Sequence, residues 1–416
     1  MRESATLEFK QGLSKTYLKT VSAFANYGTG TIVFGVDDSG AILGIDNPED
    51  ACLRIENAIN DSLKPVPHFS LEIDEENRVV TLTVQEGEDK PYLYNGKAYK
   101  RADTSTVEVS SIERNRLILA GENTSFDALK SKFQNLTFEL FQDTLSHELG
   151  LERLDRNALI SLELMNSANE FNNAAELLAD FNHFPGVDIA RFGESINIIR
   201  SRRTFEHVSI LAQMEQTLSL FDEYYAFEEI VGTKRIKKSL IPHEAFREAL
   251  ANALVHRCWD VNAHIKISMF DDRIEIMSPG SLPDGITEEE YLAGGPSIAR
   301  NPILANVFFR LGYIERFGTG IPRILKEYAN YTVSPTFSVR PASITVTLPV
   351  ENSIRITPDE ANALGVLHKG LIMTRAEISE ASGISKDKTI SVLNGLIAKG
   401  IIEKIGAGRS VKYTRN

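Results

Sequence analysis

The sequence predicts a multi-domain protein of the α+β class, and three observations support this prediction. First, 416 residues exceed what one hydrophobic core usually organises, so we expect two to four domains. Second, a content of 42% hydrophobic and 25% charged residues is typical of globular proteins. Third, β-rich runs and amphipathic helix patterns follow one another along the chain. We expect domains at residues 1–120, 121–235, 236–351 and 352–416.

Charge and cysteine content restrict the partners and the compartment. The formal net charge of −12 argues against nucleic acid covering the whole surface, because phosphate binding requires Lys and Arg. Residues 352–416 differ, with ten basic residues against six acidic ones. Cys52 and Cys258 lie too far apart in sequence to form a metal-ligand pair of the C-x-x-C kind. Neither a signal segment nor an apolar run of about 20 residues is present, so we predict a cytoplasmic protein without a membrane role.

The first 120 residues alternate helix and strand signals. YLKTVSAFANYGTG predicts an amphipathic helix ended by Gly28 and Gly30, and TIVFGV predicts a strand before the turn DDSG. A second helix is expected at about residues 51–63. Two strands, FSLEI and VVTLTV, flank a turn at residues 74–77, and Asn95-Gly96 predicts a hairpin. The hairpin also carries side chains that could stack on bases and touch phosphates, or could simply pack together: Tyr92, Tyr94, Tyr99, Lys97, Lys100 and Arg101.

The segment ESATLEFK, residues 3–10, contains charged residues at alternate positions. In an extended chain Thr6, Glu8 and Lys10 share one face, so a carboxylate and an ammonium group would point outward together. Charges two residues apart are commonly just the solvated side of a strand. From spacing alone, both interpretations stay open.

ESATLEFK followed by KTVSAFANYGTGTIVFGVDDSGAILGI resembles the Alba-like domain of the Schlafen family over about residues 1–118. The resemblance implies a nucleic-acid-binding α+β domain. Some members are RNA endonucleases, and by motif match the catalytic residues here would be Glu3, Glu8 and Asp38, with Lys10 alongside. Clustered carboxylates can hold a divalent metal that activates water. Many bacterial members are instead taken to be DNA-binding regulators.

Residues 121–235 offer no candidate chemistry and are interpreted as a connecting scaffold. Helices are expected at SFDALKSKFQ, TFELFQDTLSHELGL and ALISLELMN, followed by β-like segments DIARF and SINIIRSRR. A long helix is expected at about residues 206–223.

A helix containing EALANALVHR opens the next predicted domain. Its 3.6-residue period places Glu248, Asn252 and His256 on one face, opposite an apolar face, so the polar stripe is either solvated or directed at a ligand. The strands AHIKISMF and DRIEIMS should follow. Farther along, Gly318 and Gly320 precede another helix, where glycine backbone and the positive helix end favour phosphate.

EAFREALANALVHR and RNPILANVFFRLGYIERFGTGIPRI resemble the RecG-like C-terminal domain of GHKL-type ATPases over about residues 236–350. The resemblance implies an α/β sandwich that binds ATP and Mg²⁺. Asn252 would be the Mg²⁺ ligand and Glu248 the candidate catalytic base, while Gly318 and Gly320 would cradle phosphates.

The base-binding end of this predicted site departs from the family pattern. GHKL proteins carry Asp-x-Gly-x-Gly, whose Asp bonds the adenine amino group, whereas this chain reads Ser278-Pro279-Gly280. Ser278 and Gly280 are still assigned to the cofactor site, but ATP binding with at most weak hydrolysis is expected. The chain contains no P-loop G-x-x-x-x-G-K-[ST], so helicase activity is not expected.

The C-terminal residues outline a winged helix-turn-helix. TRAEISEASGISKDKTISVLNGLIAKG predicts a helix, a turn at Gly383 and a second helix opened by Ser385; two strands should flank Gly406 and Gly408. Such a second helix enters the DNA major groove, and a wing contacts the backbone. The candidate contacts with double-stranded DNA are Lys386, Lys388, Thr389, Ser391, Arg409 and Lys412. Because such proteins often read two half-sites, a homodimer is plausible.

These features together predict a cytoplasmic transcriptional regulator whose nucleic-acid affinity is tuned by ATP. The alternative is a metal-dependent Schlafen-like ribonuclease that cleaves RNA or tRNA, in defence for example. A third interpretation is that the nucleotide pocket is vestigial and only packs the core.

Overall fold

The computed structural model describes residues 2–231, 233–283, 286–295, 298–315, 318–329, 331–350, 357–368, 370–406 and 411–415. The chain divides into two compact units. The first comprises Met1–Leu136, Leu154–Glu176 and Arg300–Asn306, and the second comprises Thr137–Arg153, Leu177–Ala299 and Val307–Asn416. Both units mix helices and strands, which agrees with the predicted α+β class.

The first unit begins with a strand and a helix, as the sequence pattern predicts. Its N-terminal elements are β1 (Leu7–Lys10), α1 (Tyr17–Tyr27), β2 (Gly30–Phe34), α2 (Pro48–Ser62), β3 (Leu63–Lys64), β4 (Phe69–Asp74), β5 (Val79–Val84), β6 (Leu93–Tyr94), β7 (Tyr99–Ala102), β8 (Ser105–Glu108) and α3 (Ser111–Gly121). Helix α2 starts with Pro48 in its first turn, and the Asn47 side chain accepts a hydrogen bond from the Asp50 N–H.

Four of these strands form one sheet in the order β1-β2-β5-β4. Strand β1 runs parallel to β2, with Phe9 opposite Val33, whereas β5 pairs antiparallel with β2 and β4. In β5, Val80, Leu82 and Val84 are fully buried, as expected for alternating residues on one sheet face. The helices α1 and α2 complete this core with Leu18, Val21, Phe24, Ile55 and Ile59.

The predicted hairpin turn occurs at Asn95 and Gly96. Their φ angles of 51° and 73° are the left-handed pair that a tight hairpin turn needs. The strands pair differently from a simple hairpin, because β6 bonds to β3 and β7 bonds to β8. Tyr92 and Tyr99 are 3% and 7% exposed, so packing rather than base stacking accounts for these rings.

The middle of the chain contains α4 (Glu139–Leu149), α5 (Arg156–Ser161), α6 (Asn173–Leu178), β9 (Val187–Phe192), β10 (Ile199–Phe205), α7 (Ile210–Tyr225), β11 (Ala226–Val231) and β12 (Lys234–Ser239). The helix predicted at SFDALKSKFQ is wrong, because only a 3₁₀ turn forms at Phe126–Ala128. The buried Asp127 carboxylate instead accepts hydrogen bonds from the N–H groups of Ile303 and Leu304. It therefore caps a helix distant in sequence.

The chain continues with α8 (His243–His256), β13 (Ile265–Met269), β14 (Arg273–Pro279), α9 (Glu288–Ala293), α10 (Pro302–Arg310), α11 (Gly320–Glu327), β15 (Thr336–Arg340) and β16 (Ser343–Pro349). All of these belong to the second unit except the first residues of α10. A six-stranded sheet runs in the order β10-β9-β13-β14-β16-β15. Strand β13 is parallel to β9, with Ile267 opposite Ile189, and antiparallel to β14. Helix α8 contacts α7, α11, β14 and β16.

The expected domain boundary at residues 235/236 divides this sheet and is corrected. Strands β9 and β10 fall in the segment interpreted as scaffold, yet β9 pairs along its length with β13. Helix α7, from the same segment, also packs on α8, where the Phe221 and Phe246 rings stack with centroids 4.2 Å apart. The segment is therefore part of the layer that supports α8.

The C-terminal elements are α12 (Pro358–Val366), β17 (Ile372–Thr374), α13 (Arg375–Ser382), α14 (Lys386–Ala398), β18 (Ile402–Ile405) and β19 (Lys412–Arg415). Gly383, with φ of 72°, ends α13, and α14 follows Ser385, as the pattern predicts. The three strands form an antiparallel sheet in the order β17-β19-β18. Leu364, Ile378 and Leu393 belong to the core of these elements.

No helix among the described residues has the length and apolar character that a bilayer crossing requires.

Candidate functional site: a glycine-walled hollow beside helix α8

The polar stripe of α8 faces a hollow in the second unit. Glu248, Asn252 and His256 all line this hollow, while Ala249, Leu250, Ala253 and Leu254 of the same helix are buried. The other walls include the predicted residues Ser278, Gly280, Gly318 and Gly320. The sequence-predicted cofactor residues therefore line one hollow, and the polar stripe of α8 faces it.

Glu248 is a buried carboxylate with one uncommitted oxygen. Only 3% of the residue is exposed. Its Oε1 accepts a hydrogen bond from Asn252 Nδ2 at 3.3 Å, whereas Oε2 has no hydrogen-bond partner among the described residues. The Arg247 guanidinium approaches Oε2 at 3.8 Å. Burial raises the pKa of Glu248, and the charges of Arg247 and Arg323 oppose this rise. A carboxylate in this state can accept a proton.

The glycines between α10 and α11 permit a close backbone approach to that carboxylate. A Cβ atom on Gly320 would lie 2.6 Å from Asn252 Nδ2 and 3.1 Å from Glu248 Oε1, so no larger residue fits without movement. Gly318 has φ of 65°, and a Cβ there would lie 2.3 Å from the Gly295 carbonyl oxygen. The first turn of α11 therefore lies directly against the polar stripe of α8.

Thr319, which sequence reasoning did not single out, completes this glycine turn. It precedes the first residue of α11 and lines the hollow. Its Oγ1 is buried and has no hydrogen-bond partner within the described part of the chain. The position before a helix is where Thr commonly caps backbone N–H groups, but no such bond forms here. Its position between Gly318 and Gly320 is the sequence signal that could have identified Thr319 as a site residue.

The end of β14 forms the opposite wall. Ser278 Oγ donates a hydrogen bond to the Ala253 carbonyl oxygen at 3.2 Å, which ties β14 to α8 and leaves the hydroxyl as an acceptor. Gly280 has φ of 116°, and a Cβ there would lie 2.4 Å from Cys258 Sγ. Cys258 and Trp259 are buried core residues, as predicted.

An apolar surface adjoins these polar walls, as a flat aromatic ligand would require. Burial raises the pKa of Tyr291 to about 12, so its phenol stays protonated and can donate a hydrogen bond. The apolar lining is formed by Ile276, Ile286, Ile298, Phe337, Ile344 and Val346.

Donors and acceptors occupy separate walls of the hollow. The start of α11 offers the N–H groups of Gly320 and Ile321, which a helix leaves without intrahelical partners, and the Thr319 hydroxyl. Helix α8 offers the Glu248 carboxylate and the amide oxygen of Asn252. A polyphosphate suits the first wall, and a hard cation such as Mg²⁺ suits the second. The residues present thus fit a metal-bridged nucleotide.

Glu8 in β1 does not point outward into solvent, and that expectation is corrected. It is 5% exposed, because Thr20 of α1 and Arg101 of β7 lie against its carboxylate. Its carboxylate accepts hydrogen bonds from Thr20 Oγ1 at 2.7 Å and Arg101 Nη1 at 2.5 Å, and Lys10 Nζ lies 2.6 Å away. Glu8 and Lys10 lie together as expected, but the pairing of Glu8 with Arg101 was not foreseen, because the two residues are 93 positions apart. Arg101, which the sequence offered either as a phosphate contact or as a packing residue, is buried against Glu8.

The three carboxylates of the predicted metal triad do not share one environment. Glu3 accepts a hydrogen bond from the Phe9 N–H at 2.9 Å, and Asp38 is exposed. Its neighbour Asp37 accepts from the N–H groups of Ser39 and Ala41. Within the described ranges, no three His, Cys, Asp or Glu side chains are placed to hold a metal ion. The expected metal cluster of Glu3, Glu8 and Asp38 is therefore corrected.

Some of the predicted DNA-contacting residues are exposed, and others are buried or held in an ion pair. Lys386, Ser391 and Lys412 are exposed. Thr389 is fully buried and donates to the Ser385 carbonyl oxygen at 2.9 Å, so its assignment as a DNA contact is corrected. Lys388 Nζ pairs with Asp359 at 2.6 Å. The remaining predicted contact, Arg409, lies outside the described residues.

Two family models match this chain. Residues 3–110 match the family described as "Schlafen, AlbA_2", which agrees with the N-terminal resemblance. Residues 262–348 match the family described as "Putative ATP-dependent DNA helicase recG C-terminal". The second match begins after α8 and does not include Glu248 and Asn252. These two residues are grouped with the matched region because they line the same hollow.

Individual proteins resemble parts or all of the chain. An uncharacterized ATP-binding protein from Ureaplasma parvum is 23% identical over 238 residues, which span 47% of this chain and 66% of that protein. The crystal structure of the DIP2311 protein from Corynebacterium diphtheriae covers 99% of this chain and 92% of its own, at 18% identity and a TM-score of 0.49. The N-terminal domain of a RecG-related protein from Nitrosomonas europaea, solved by NMR, covers 25% of this chain and 83% of its own, at 24% identity and a TM-score of 0.20.

Proposed function

We propose that this protein is an ATP-binding, DNA-binding cytoplasmic regulator whose affinity for DNA depends on the bound nucleotide. The observation that carries the nucleotide part is the contact of Gly320 with Asn252 and Glu248, which closes one hollow from residues about seventy positions apart. The match to the RecG C-terminal family and the name of the Ureaplasma relative support ATP as the ligand. We assign this region to a GHKL-like α/β sandwich.

In this proposal the protein binds the nucleotide through complementary walls. The N–H groups at the start of α11 bind phosphate oxygens, and the apolar surface takes the base. Asn252 would hold Mg²⁺, which when bound supplies positive charge to the phosphates. Glu248 would be the carboxylate that takes a proton from water. Because Ser278 replaces the usual Asp, weak selection of the base is expected, and we propose ATP binding with at most weak hydrolysis.

The DNA-binding part of the proposal rests on the C-terminal elements. A helix, the Gly383 turn, the helix α14 and the strands β18 and β19 follow one another in the order of a winged helix-turn-helix. Lys386 and Ser391 lie exposed on the first two turns of α14, and Lys412 is exposed on β19. We propose that the protein binds double-stranded DNA as a homodimer. In each copy α14 would enter the major groove of one half-site.

Coupling between nucleotide and DNA requires that Mg-ATP favour one of two arrangements of the protein. The test is to titrate a labelled duplex with the full chain, with and without Mg-ATP. A change in affinity that disappears in Asn252→Ala supports the coupling, and equal affinities in wild type contradict it. Trp259, the single tryptophan, follows the Cys258 that abuts Gly280, so we expect its fluorescence to change when nucleotide binds without DNA.

RNA cleavage by the N-terminal region is the second candidate function. The Schlafen match and the buried charge cluster of Glu8, Lys10 and Arg101 favour it. The purified protein would be incubated with tRNA and Mg²⁺ or Mn²⁺. Cleavage that is lost in Glu8→Ala supports this function, whereas cleavage that persists in that variant excludes Glu8 as its catalyst.

A further inference from the structure

We propose that the hairpin of β11 and β12 is an arm through which two copies of this chain bind each other. The arm comprises residues 226–239, and the tip, residues 193–199 between β9 and β10, extends the same interface. This inference rests on the homodimer of the proposed function and names its contact surface. It requires neither nucleotide nor DNA, so it can be tested apart from both.

Both faces of the arm are exposed to solvent. Strands β11 and β12 form a two-stranded sheet that is separate from the six-stranded one. A hairpin of two strands is at best marginally stable in water by itself, so it usually packs against another surface. Phe227, Ile230 and Ile236 are nevertheless 41%, 74% and 42% exposed. We therefore expect a partner that covers these apolar side chains.

One face of the arm carries an apolar pair and a charged pair that cross each other. Phe227 lies opposite Lys238, and Glu229 lies opposite Ile236, so these four residues share a face. Glu229 and Lys238 form an ion pair along one diagonal of the four. Phe227 and Ile236 occupy the other diagonal.

A two-fold axis along the apolar diagonal makes this face complementary to its own copy. Phe227 then meets Phe227 and Ile236 meets Ile236, while Glu229 of each copy meets Lys238 of the other. From the usual spacings along and across a hairpin, the strands of the two arms cross at roughly 70°, close to the orthogonal mode of sheet packing. The arrangement buries the apolar side chains and pairs both charges of each copy with opposite ones.

Charge disfavours the other way in which two arms could associate, which is pairing of their strand edges. Two copies of β12 would align the basic run KRIKK with itself, and two copies of β11 would align Glu228 and Glu229 with themselves. Face-to-face packing avoids both repulsions. Glu229 and Lys238 are 45% and 50% exposed, so their ion pair within one copy contributes little and can be exchanged for pairs between copies.

The tip adds apolar surface at the root of the arm. Its side chains that are at least half exposed include Ile196, Ile198 and Ile199. The Tyr224 hydroxyl at the end of α7 lies 3.0 Å from Ser201 Oγ of β10, and β11 begins two residues later at Ala226. Tip and arm therefore start from the same end of α7. Together they supply about 20 residues, as many as one side of a standard protein interface uses.

A second copy of the chain fits the arm better than nucleic acid does. Phosphate binding requires cations that are free to pair with it. In β12, Arg235 lies 3.1 Å from Glu228 and Lys237 lies 2.8 Å from Asp222, and Lys238 pairs with Glu229. A surface that alternates acid, base and apolar side chains matches another surface of the same kind.

The test is sedimentation velocity of the full chain at several concentrations, without nucleotide or DNA. Glu229→Lys and Lys238→Glu should each raise the dissociation constant of the dimer by about tenfold or more, because like charges then meet across the axis. An equimolar mixture of the two variants should recover dimers, because the heterodimer pairs each reversed charge with an opposite one. If the two residues mattered only within one copy, the mixture would recover nothing, and the inference would be overturned.

An apolar substitution tests the same face with a matched control. Ile236→Gln should also raise the dissociation constant by about tenfold. Ile112→Gln in α3 changes an isoleucine of nearly equal exposure, 43%, and should leave the constant unchanged. Circular dichroism verifies that each variant is folded, and if a charge variant is not, Ile236→Gln decides by the comparison with Ile112→Gln.

The remaining outcomes separate this inference from the proposed function. If wild type is a dimer and the arm variants dissociate no more readily than Ile112→Gln, the arm is not the interface and the homodimer stands. If wild type is a monomer at the concentrations at which it binds a duplex, the proposed homodimer fails together with this inference. Arm variants that stay dimeric but lose affinity for a duplex would make the arm a nucleic-acid contact and overturn the inference.

Discussion

Glu248 is held in the folded protein in a place that disfavours its charge. Burial raises its pKa above the usual carboxyl value, and Arg247 and Arg323 only partly offset this effect. A carboxyl whose folded pKa exceeds its unfolded pKa stabilises the fold fully below the unfolded pKa of about 4.3. That stability is lost as the pH rises through the folded pKa. Near neutral pH the ionised Glu248 is therefore destabilising.

Replacing Glu248 by Gln should accordingly raise the melting temperature at pH 7, and the gain should shrink as the pH falls toward 4. Differential scanning calorimetry at several pH values measures this. Glu244→Gln, one turn earlier, is the control with the opposite sign, because its bond with Arg247 lowers the pKa of Glu244. A melting temperature of Glu248→Gln below that of wild type at pH 7 would contradict the prediction.

Gly280 is sensitive to substitution for two separable reasons. Its φ of 116° disfavours any side chain, and an added Cβ would also meet Cys258 Sγ at 2.4 Å. Gly312 has φ of 73° with nothing within 4 Å of an added Cβ, so it isolates backbone strain. We expect Gly312→Ala to lower the unfolding free energy by about 1 kcal/mol and Gly280→Ala by about 3 kcal/mol. Urea unfolding measures both, and equal losses would show that the contact with Cys258 is unimportant.

Sequence patterns identified the site residues that belong to a short motif, such as a helix face or a glycine turn. Glu248, Asn252, Gly318 and Gly320 were assigned from spacing on a helix and from glycines before a helix, and all four line one hollow. The pairing of Arg101 with Glu8 was missed because the two residues lie in different parts of the chain. A burial-dependent property, such as the missing partner of the Thr319 hydroxyl, is set by tertiary packing and leaves no pattern in the sequence.

Fewer basic side chains of α14 lack an ion pair than its sequence suggests. Of its basic residues near the N-terminus, Lys388 is paired with Asp359, whereas no ion pair of Lys386 is seen among the described residues. Lys399, at the other end, bonds the buried Glu360 at 2.7 Å and 2.5 Å and serves the core of these elements instead. The cations available for phosphate are therefore few.

Replacing both Lys386 and Lys412 by Ala should weaken binding to a duplex at low salt and should reduce the slope of log K against log salt by about 2. Fluorescence anisotropy at several salt concentrations measures the slope. Lys388→Ala should change it less, because Asp359 already neutralises that charge. An unchanged slope in the double variant would show that α14 and β19 do not contact phosphates.

Elements with a strong period were predicted well, and elements defined by distant partners were not. The helix α8, the strands β13 and β14 and the succession of α13 and α14 occur where their patterns lie. SFDALKSKFQ has a helical pattern but forms only a turn, because Asp127 is used to cap the helix that begins at Pro302. Such a tertiary contact outweighs local propensity.

The six-stranded sheet joins segments that sequence reasoning assigned to different domains. Ile265, Ile267 and Met269 of β13 are at most 1% exposed, and β9 covers one edge of that strand. A fragment starting at residue 236 would leave this edge open, with apolar residues and unpaired backbone groups along it. The boundary could not be read from the sequence because strand neighbours are set by pairing, not by order.

We therefore expect a fragment of residues 236–350 to aggregate and a fragment of residues 177–350, which retains β9, β10 and α7, to remain soluble. Size-exclusion chromatography after refolding at matched concentration distinguishes the two. A monomeric shorter fragment with a cooperative unfolding transition would show that β9 is dispensable to the sheet.

Because β9 pairs with β13, one edge of β9 stays without its partner strand during part of the synthesis of the chain. The ribosome completes β9 at Phe192, but its partner ends at Met269, about 77 residues later. At about 5 to 20 residues per second, β9 waits on the order of 4 to 15 s before that edge can close. During this interval β10 can pair only with the opposite edge of β9, so the edge that β13 later occupies is open to mispairing while α7 and α8 are being synthesised.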